Sequence, residues 1–221
     1  MVATVLRYFC DVNRRMGLHK EGIEQVKEAL AIYEKLGNTS FQAECLNRLA
    51  RLLHEDEQPD AAEEAASRAI NLIGEKGNQF RLCESHRALG EIYRSKGETE
   101  KAISHFETAL EIASPFNWQG SLFSTHHSLV MLFRDDGRLE DAQAHLELAK
   151  PYTTNNPYYL AHVMHLQATV WRKQYNLEEA RSEALRAADA FEELGAMEDV
   201  EECRELLQDI QKELDVPGLS C

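Results

Sequence analysis

A 40-residue period runs along the 221-residue chain and constrains its fold more tightly than any other feature. Ala62, Ala102 and Ala142 recur at that spacing, and so do Ala29, Ala69, Ala109 and Ala149. Leu49, Leu89 and Leu129 form a third series, Leu53, Tyr93 and Phe133 a fourth, and Gly17, Gly97 and Gly137 fall on the same grid. Self-similarity at a period of about 20–50 residues marks units that bury their apolar faces only against their neighbours. Leu89 and Tyr93 before Gly97, and Ala102, Phe106, Ala109 and Leu110 after it, repeat at spacings of three and four, the period of a helix. No stretch alternates apolar and polar residues over strand length. The expected fold is all-α: a right-handed α-solenoid of five helix pairs plus a C-terminal capping helix.

The expected helices are 2–16 and 19–36, 39–54 and 58–75, 79–96 and 98–113, 119–136 and 138–150, 157–174 and 176–194, then a single helix at 197–214. They group into units 2–37, 38–77, 78–117, 118–155 and 156–195 with a cap at 196–215, one array over 1–215, followed by a flexible tail at 216–221. Gly37 and Gly77 each follow a helical stretch and precede asparagine, so they are expected to close the last turn in the left-handed conformation. The fifth unit is two residues short, and the deletion falls in the loop Pro151–Pro157. In the last helix Val200, Cys203, Leu206, Leu207 and Ile210 form one stripe with acids opposite, as a cap requires. The first helix, with Val2, Val5, Leu6, Tyr8 and Phe9, has too little polar surface for an exposed end. It is expected to continue a longer array or to self-associate.

A net charge of −14 opposes binding to nucleic acid or to an anionic membrane, so neither is expected as a partner. No run of 18 apolar residues occurs, and Met1–Arg7 is too short and lacks a cleavage site for a secretory signal. Five cysteines never form CxxC, and four of them lie within helical patterns, which suits reduced, packed thiols and a cytoplasmic location. There is no nucleophile elbow, no HExxH and no glycine-rich phosphate loop, so neither an enzyme nor a cofactor is expected. Acid pairs such as Glu63-Glu64 and Glu178-Glu179 start second helices, where they suit the positive end of the helix dipole.

In residue type and spacing, Leu89-Gly90, Tyr93, Gly97, Ala102, Phe106 and Ala109 resemble the tetratricopeptide repeat, and degenerate copies recur over roughly residues 3 to 194. The 40-residue length is similar to the arrays of kinesin light chain and of signal-transduction NTPases. Segments such as Glu63–Ile70 and Ala113–Trp118 look most like arrays that fungi attach to NACHT or NB-ARC ATPase modules; no such nucleotide-binding motif occurs here.

The resemblance implies that the first helix of each pair lines a groove for a protein or peptide ligand. Carried over by register, its positions include Arg7, Arg14, Asn47, Arg51, His54, Arg87, Arg94, His127, Arg134, His165, Arg172 and Lys173. Nine of the 25 groove positions are basic and six acidic, whereas the rest of the chain is strongly acidic. Arg14, Arg94, Arg134 and Arg172 occupy equivalent sites, with His54 in the gap. Arginine forks match carboxylate or phosphate, which favours an acidic or phosphorylated peptide. Alternatively each arginine pairs with a nearby acid such as Glu91 or Asp135. The lysine–asparagine grip by which chaperone-binding members hold a C-terminal carboxylate is not expected, because Asp11 and Glu84 stand at two of its places. His127, His162 and His165 form the one metal-like cluster, but no carboxylate or thiolate at a matching groove position completes it, so no metal is expected. Phe116 and Trp118 fall in an inter-unit loop, where packing and interaction roles both stay open.

Overall fold

The computed structural model describes residues 2–74 and 77–216. Among them the chain forms eleven α-helices and no strand. In the first body, which spans residues 1–121, the helices are α1 (Val2–Arg15), α2 (His19–Lys35), α3 (Thr39–Glu55), α4 (Pro59–Ile73), α5 (Gln79–Ser95) and α6 (Thr99–Ala113). The second body, residues 122–221, holds most of α7 (Gln119–Asp135), then α8 (Leu139–Ala149), α9 (Pro157–Lys173), α10 (Leu177–Glu193) and α11 (Met197–Leu214). Each helix lies within two residues of its expected bounds. The inter-unit loops add short 3-10 turns at Ser114–Phe116 and Lys150–Thr153. Apart from Val216, the expected tail lies outside the described residues.

Within a pair the helices cross at small side chains. Ala62, Ala102, Ala142 and Ala180 are fully buried at equivalent places on the second helices. Gly22 holds that place in α2, where an added Cβ would stand 3.3 Å from the Cys10 carbonyl oxygen of α1 and 3.0 Å from the Leu52 side chain of the next pair. The closest approach is at Gly90: a Cβ there would meet the ring of the fully buried Phe106 at 2.5 Å. That is why the repeat with the bulkiest second-helix residue carries glycine opposite it.

The turns inside pairs use a left-handed residue in all five cases: Gly17 (φ 70°), Glu57 (57°), Gly97 (72°), Gly137 (77°) and Tyr175 (61°). The next amide bonds back to a carbonyl five residues earlier, as Leu18 does to Asn13 at 2.8 Å. The turn is therefore imposed by helix termination, and glycine only lowers its cost. Between pairs Gly37 closes α2 as expected, with φ 62°. Gly77 does not close α4. That helix ends early at Ile73, so Gly74 (φ 62°) takes the role, and Gly77 is glycine because a Cβ would lie 2.1 Å from the Ile73 carbonyl oxygen. Asn38, Asn78 and Asn156 then cap α3, α5 and α9 by accepting from the amides of Phe41, Arg81 and Tyr159.

One triad on the first helices shows how the ends differ. Cys45, Leu49 and Leu52 are buried, as are Ser85, Leu89 and Ile92; Thr125, Leu129 and Leu132; and Val163, Gln167 and Val170. In α11 the equivalents Cys203 and Ile210 are fully buried, so α11 is the first helix of a sixth repeat. Its opposite side carries exposed Glu201, Arg204, Gln208 and Gln211 where α3 carries buried Ala43, Leu46, Ala50 and Leu53. On α1 the same triad, Val5, Phe9 and Val12, is about half exposed.

Gly90→Ala is expected to destabilise the chain by about 1–3 kcal/mol in urea titration, despite alanine's better helix propensity, because the Phe106 ring has nowhere to move. Adding Phe106→Leu should recover most of the loss, since the next repeat carries Val130 and Leu146 at these places.

Candidate functional site

In the first body the exposed sides of α1, α3 and α5 bring a set of opposite charges together. Glu44 on α3 is the hub: Arg7 reaches it at 2.7 Å, Arg48 at 3.1 Å, and Arg81 pairs with it as well. Arg7 is buried and lies over the Phe41 ring at 4.8 Å, so this arginine is structural. Asp11 pairs closely with Arg48 and more distantly with Arg51, at 3.7 Å. Arg87 pairs with Glu84 at 3.0 Å. Burial opposes ionisation of Glu84, but Arg87 and Arg51 hold its carboxyl below the usual range. Asn47 bridges α3 and α5, donating to the Arg81 carbonyl at 3.0 Å and accepting from the Ser85 hydroxyl at 2.6 Å. A half-open pocket of about 160 Å³ lies among these residues, with Arg48, Arg51, Arg81, Arg87 and Phe80 on its walls. The Nε groups of all four arginines are buried without a hydrogen-bond acceptor. Arg48 and Arg81 fall outside the groove register expected from the sequence; the Glu44/Arg48 spacing of four was the one local sign of their involvement.

The expected arginine ladder is a set of ion pairs. Arg14 reaches Glu55 at 2.8 Å and Arg172 reaches Glu213 at 2.7 Å, in both cases an acid 41 residues further on, which ties one first helix to the next. Arg94 pairs with Glu91 at 3.0 Å and Arg134 with Asp135 at 2.6 Å, while Arg134 also donates to Thr169. His54 sits half-buried near the end of α3. Of the two readings of the ladder, pairing with nearby acids describes its geometry.

In the second body His127 and His162 meet edge to face at 5.4 Å. His165 Nδ1 instead lies 3.2 Å from Cys203 Sγ, and His162 lies 3.6 Å from Asp199. A thiol and a carboxylate do reach these histidines, but α11 supplies them from outside the groove register. Burial raises the Cys203 thiol to about 12, so it stays protonated. Among the described residues no group of three histidine, cysteine or acidic side chains is arranged to hold a metal ion. Lys173 and Arg172 border a shallow cavity with Tyr175 and Glu213. Cys10, Cys45, Cys83 and Cys203 are free and fully buried.

Helix pairs repeating in one register define an all-α helical-repeat protein. Residues 1–74 and 85–117 match models of the tetratricopeptide repeat, and those stretches carry such repeats. No significant match is found among curated proteins. Among solved structures it is similar to a Rap protein complexed with Competence and Sporulation Factor, at TM-score 0.71 and 17% identity over 96% of this chain and 64% of that one. It thus spans less than two thirds of the Rap chain. A Podospora anserina kinesin light chain with nearly identical TPR-like repeats aligns at TM-score 0.69 and 16% identity, over 87% of this chain and 96% of that one. Aspartyl phosphate phosphatase F from Bacillus subtilis aligns at TM-score 0.69 and 12% identity, over 97% and 60%. At these identities the likeness establishes the fold.

Two histidine pairs stand outside the groove and were visible in the sequence only as a 40-residue echo. His86 Nδ1 lies 3.0 Å from His105 Nδ1, and His126 Nδ1 lies 3.0 Å from His145 Nδ1. Tyr93 stacks on His105 and Phe133 on His145. One ring of each pair must donate and the other accept, so the accepting ring is neutral, and burial disfavours charge on its partner. Burial, then the partner ring, pushes His86 and His126 down to about 4; burial also lowers His105 and His145 against Glu63 and Asp141. The unfolded chain therefore binds more protons than the folded one below about pH 6.5, and stability falls as the pH drops from there towards 4. At pH 5 the loss is expected to be on the order of 2 kcal/mol per pair, read from chemical denaturation. Replacing His86 and His105 by the second repeat's residues (His86→Leu, His105→Ala) should flatten that dependence.

Proposed function

We propose that the chain is a protein-interaction module that binds an acidic or phosphorylated peptide segment along the exposed sides of its first helices. The observation that carries this reading is the charge of that face in the first body: arginines outnumber acids there in a chain of net charge −14. Arginine is suited to this because its planar fork pairs two oxygens of a carboxylate or phosphate at once. The fold's likeness to a Rap protein solved in complex with Competence and Sporulation Factor supports a binding reading. Arg94 in the first body and Arg134 in the second are the positions where charge reversal tests the reading, because each sits at the rim beside its own acid. On an acidic-peptide array Arg94→Glu and Arg134→Glu, singly and together, should weaken binding about tenfold or more and make it less salt-sensitive. Unchanged binding by the double variant would sink the groove reading.

A second reading rests on α1. Its half-exposed Val5, Phe9 and Val12 occupy the triad that is buried in the later first helices, which suits a regulatory array working through end-to-end or intramolecular contacts, such as the sensor arm of a fungal signalling ATPase. This reading predicts concentration-dependent association of the chain in light scattering, abolished by Phe9→Asp. A strict monomer across the series argues against it.

A further inference from the structure

The pocket between α3 and α5 has properties that a peptide groove does not by itself require. Arg48, Arg51, Arg81 and Arg87 line the pocket against Glu44 and Glu84, an excess of two positive charges in its walls. Arg51 carries much of that excess: it makes no hydrogen bond, and its one ion pair is long. Burial lowers its pKa, and Arg14, Arg87 and Arg48 add to the effect against Asp11. The Nε–H groups of these four arginines are buried without acceptors, as are those of Arg7 and Arg14 beside them, and unmet buried donors are costly. An aromatic ledge continues from the rim. Phe80, half exposed, both walls the pocket and meets Trp118 edge-on at 5.1 Å, and Trp118 stacks on exposed Phe116 at 4.6 Å.

We propose that this pocket recognises the dianionic phosphoryl group of a phosphorylated peptide side chain, with an apolar residue of the same peptide resting on the Phe80–Trp118–Phe116 ledge. The charge excess selects a dianion over a single carboxylate, and the forked guanidinium groups of four arginines suit the three oxygens of a phosphoryl group. The ledge selects a peptide over a bare anion, because stacked, exposed aromatics gain from covering apolar surface. An acidic chain of this size opposes the other common carriers of phosphate, nucleic acid and anionic lipid. The inference rests on the interaction reading above and assigns the ligand class to one pocket of it.

The test uses the full chain, with phosphoserine peptides that carry an aromatic or leucine residue near the phosphate, their unphosphorylated and glutamate-substituted counterparts, and inorganic phosphate with chloride at matched ionic strength. Phosphorylated peptides should bind about tenfold or more tighter than either counterpart. The preference should fade below about pH 6, where the phosphoryl group takes up a proton. Arg51→Gln, at a side chain that makes no hydrogen bond, should erase the preference; Phe80→Ala should weaken every peptide but spare the response to inorganic phosphate; and Arg186→Gln, at an exposed side chain on the second helix α10, should change neither. Peptide binding without regard to phosphorylation overturns this inference and leaves the interaction reading standing. Thermal protection by inorganic phosphate that Arg51→Gln abolishes, with no peptide bound, overturns the peptide assignment in favour of a small phosphorylated molecule. If no peptide binds and phosphate protects no better than chloride, both fail.

Discussion

The close crossing of two helices at a small side chain is the constraint on which the rest of this structure depends. Ala62, Ala102, Ala142 and Ala180 are fully buried at that crossing, and glycine replaces alanine where a neighbour presses closest. Because the crossing recurs at one register, every other position on the grid inherits a role. In the first body positions 45, 49 and 52 become the face towards the preceding pair, and positions 44, 47, 51 and 55 become the more exposed side. The same register makes α11 a cap: its inward residues stay apolar, while the side that would meet a second helix has turned to glutamate, arginine and glutamine.

Charge on the exposed side does two jobs. At its margins it fastens helices together, as Arg14 with Glu55 and Arg172 with Glu213, pairs that are half-exposed and contribute modestly to stability. Between α3 and α5 it does something different, because arginines outnumber acids there and several of their donors are buried without acceptors. Structural ion pairs tend towards balance, since an unpaired buried charge is costly. An imbalance kept in a pocket beside exposed aromatics is the arrangement that a ligand's charge completes.

The helices were legible because a 3.6-residue apolar period, glycine-bounded, is a local signal. Gly37 was read correctly as a helix terminator, whereas Gly77 was not: α4 stops at Ile73, and which of two nearby glycines ends a helix depends on where the helix frays against its partner. The arginine ladder was visible as a column in the alignment of repeats, and so were Glu91 and Asp135 as partners for Arg94 and Arg134; the partners of Arg14 and Arg172 were not, since the acid 41 residues ahead belongs to another helix. Arg48 and Arg81 were missed because they stand beside the groove register and reach it only by bending towards Glu44. Asp199 and Cys203 were missed as neighbours of the histidines because the cap helix that carries them was read as a lid and not as a sixth repeat's first helix.

The sequence by itself determined that the chain is all-helical, paired and periodic, with basic residues gathered on one side of an acidic protein. Periodicity and composition are properties of position along the chain, so no coordinates were needed to see them. Only the tertiary structure decided which arginines are spoken for and which are not. Ion pairing acts over a few ångströms between residues some 40 apart in sequence, and its outcome depends on side-chain reach across a helix interface. That distinction divides the ladder, largely neutralised, from the pocket at Arg51, where positive charge is left over.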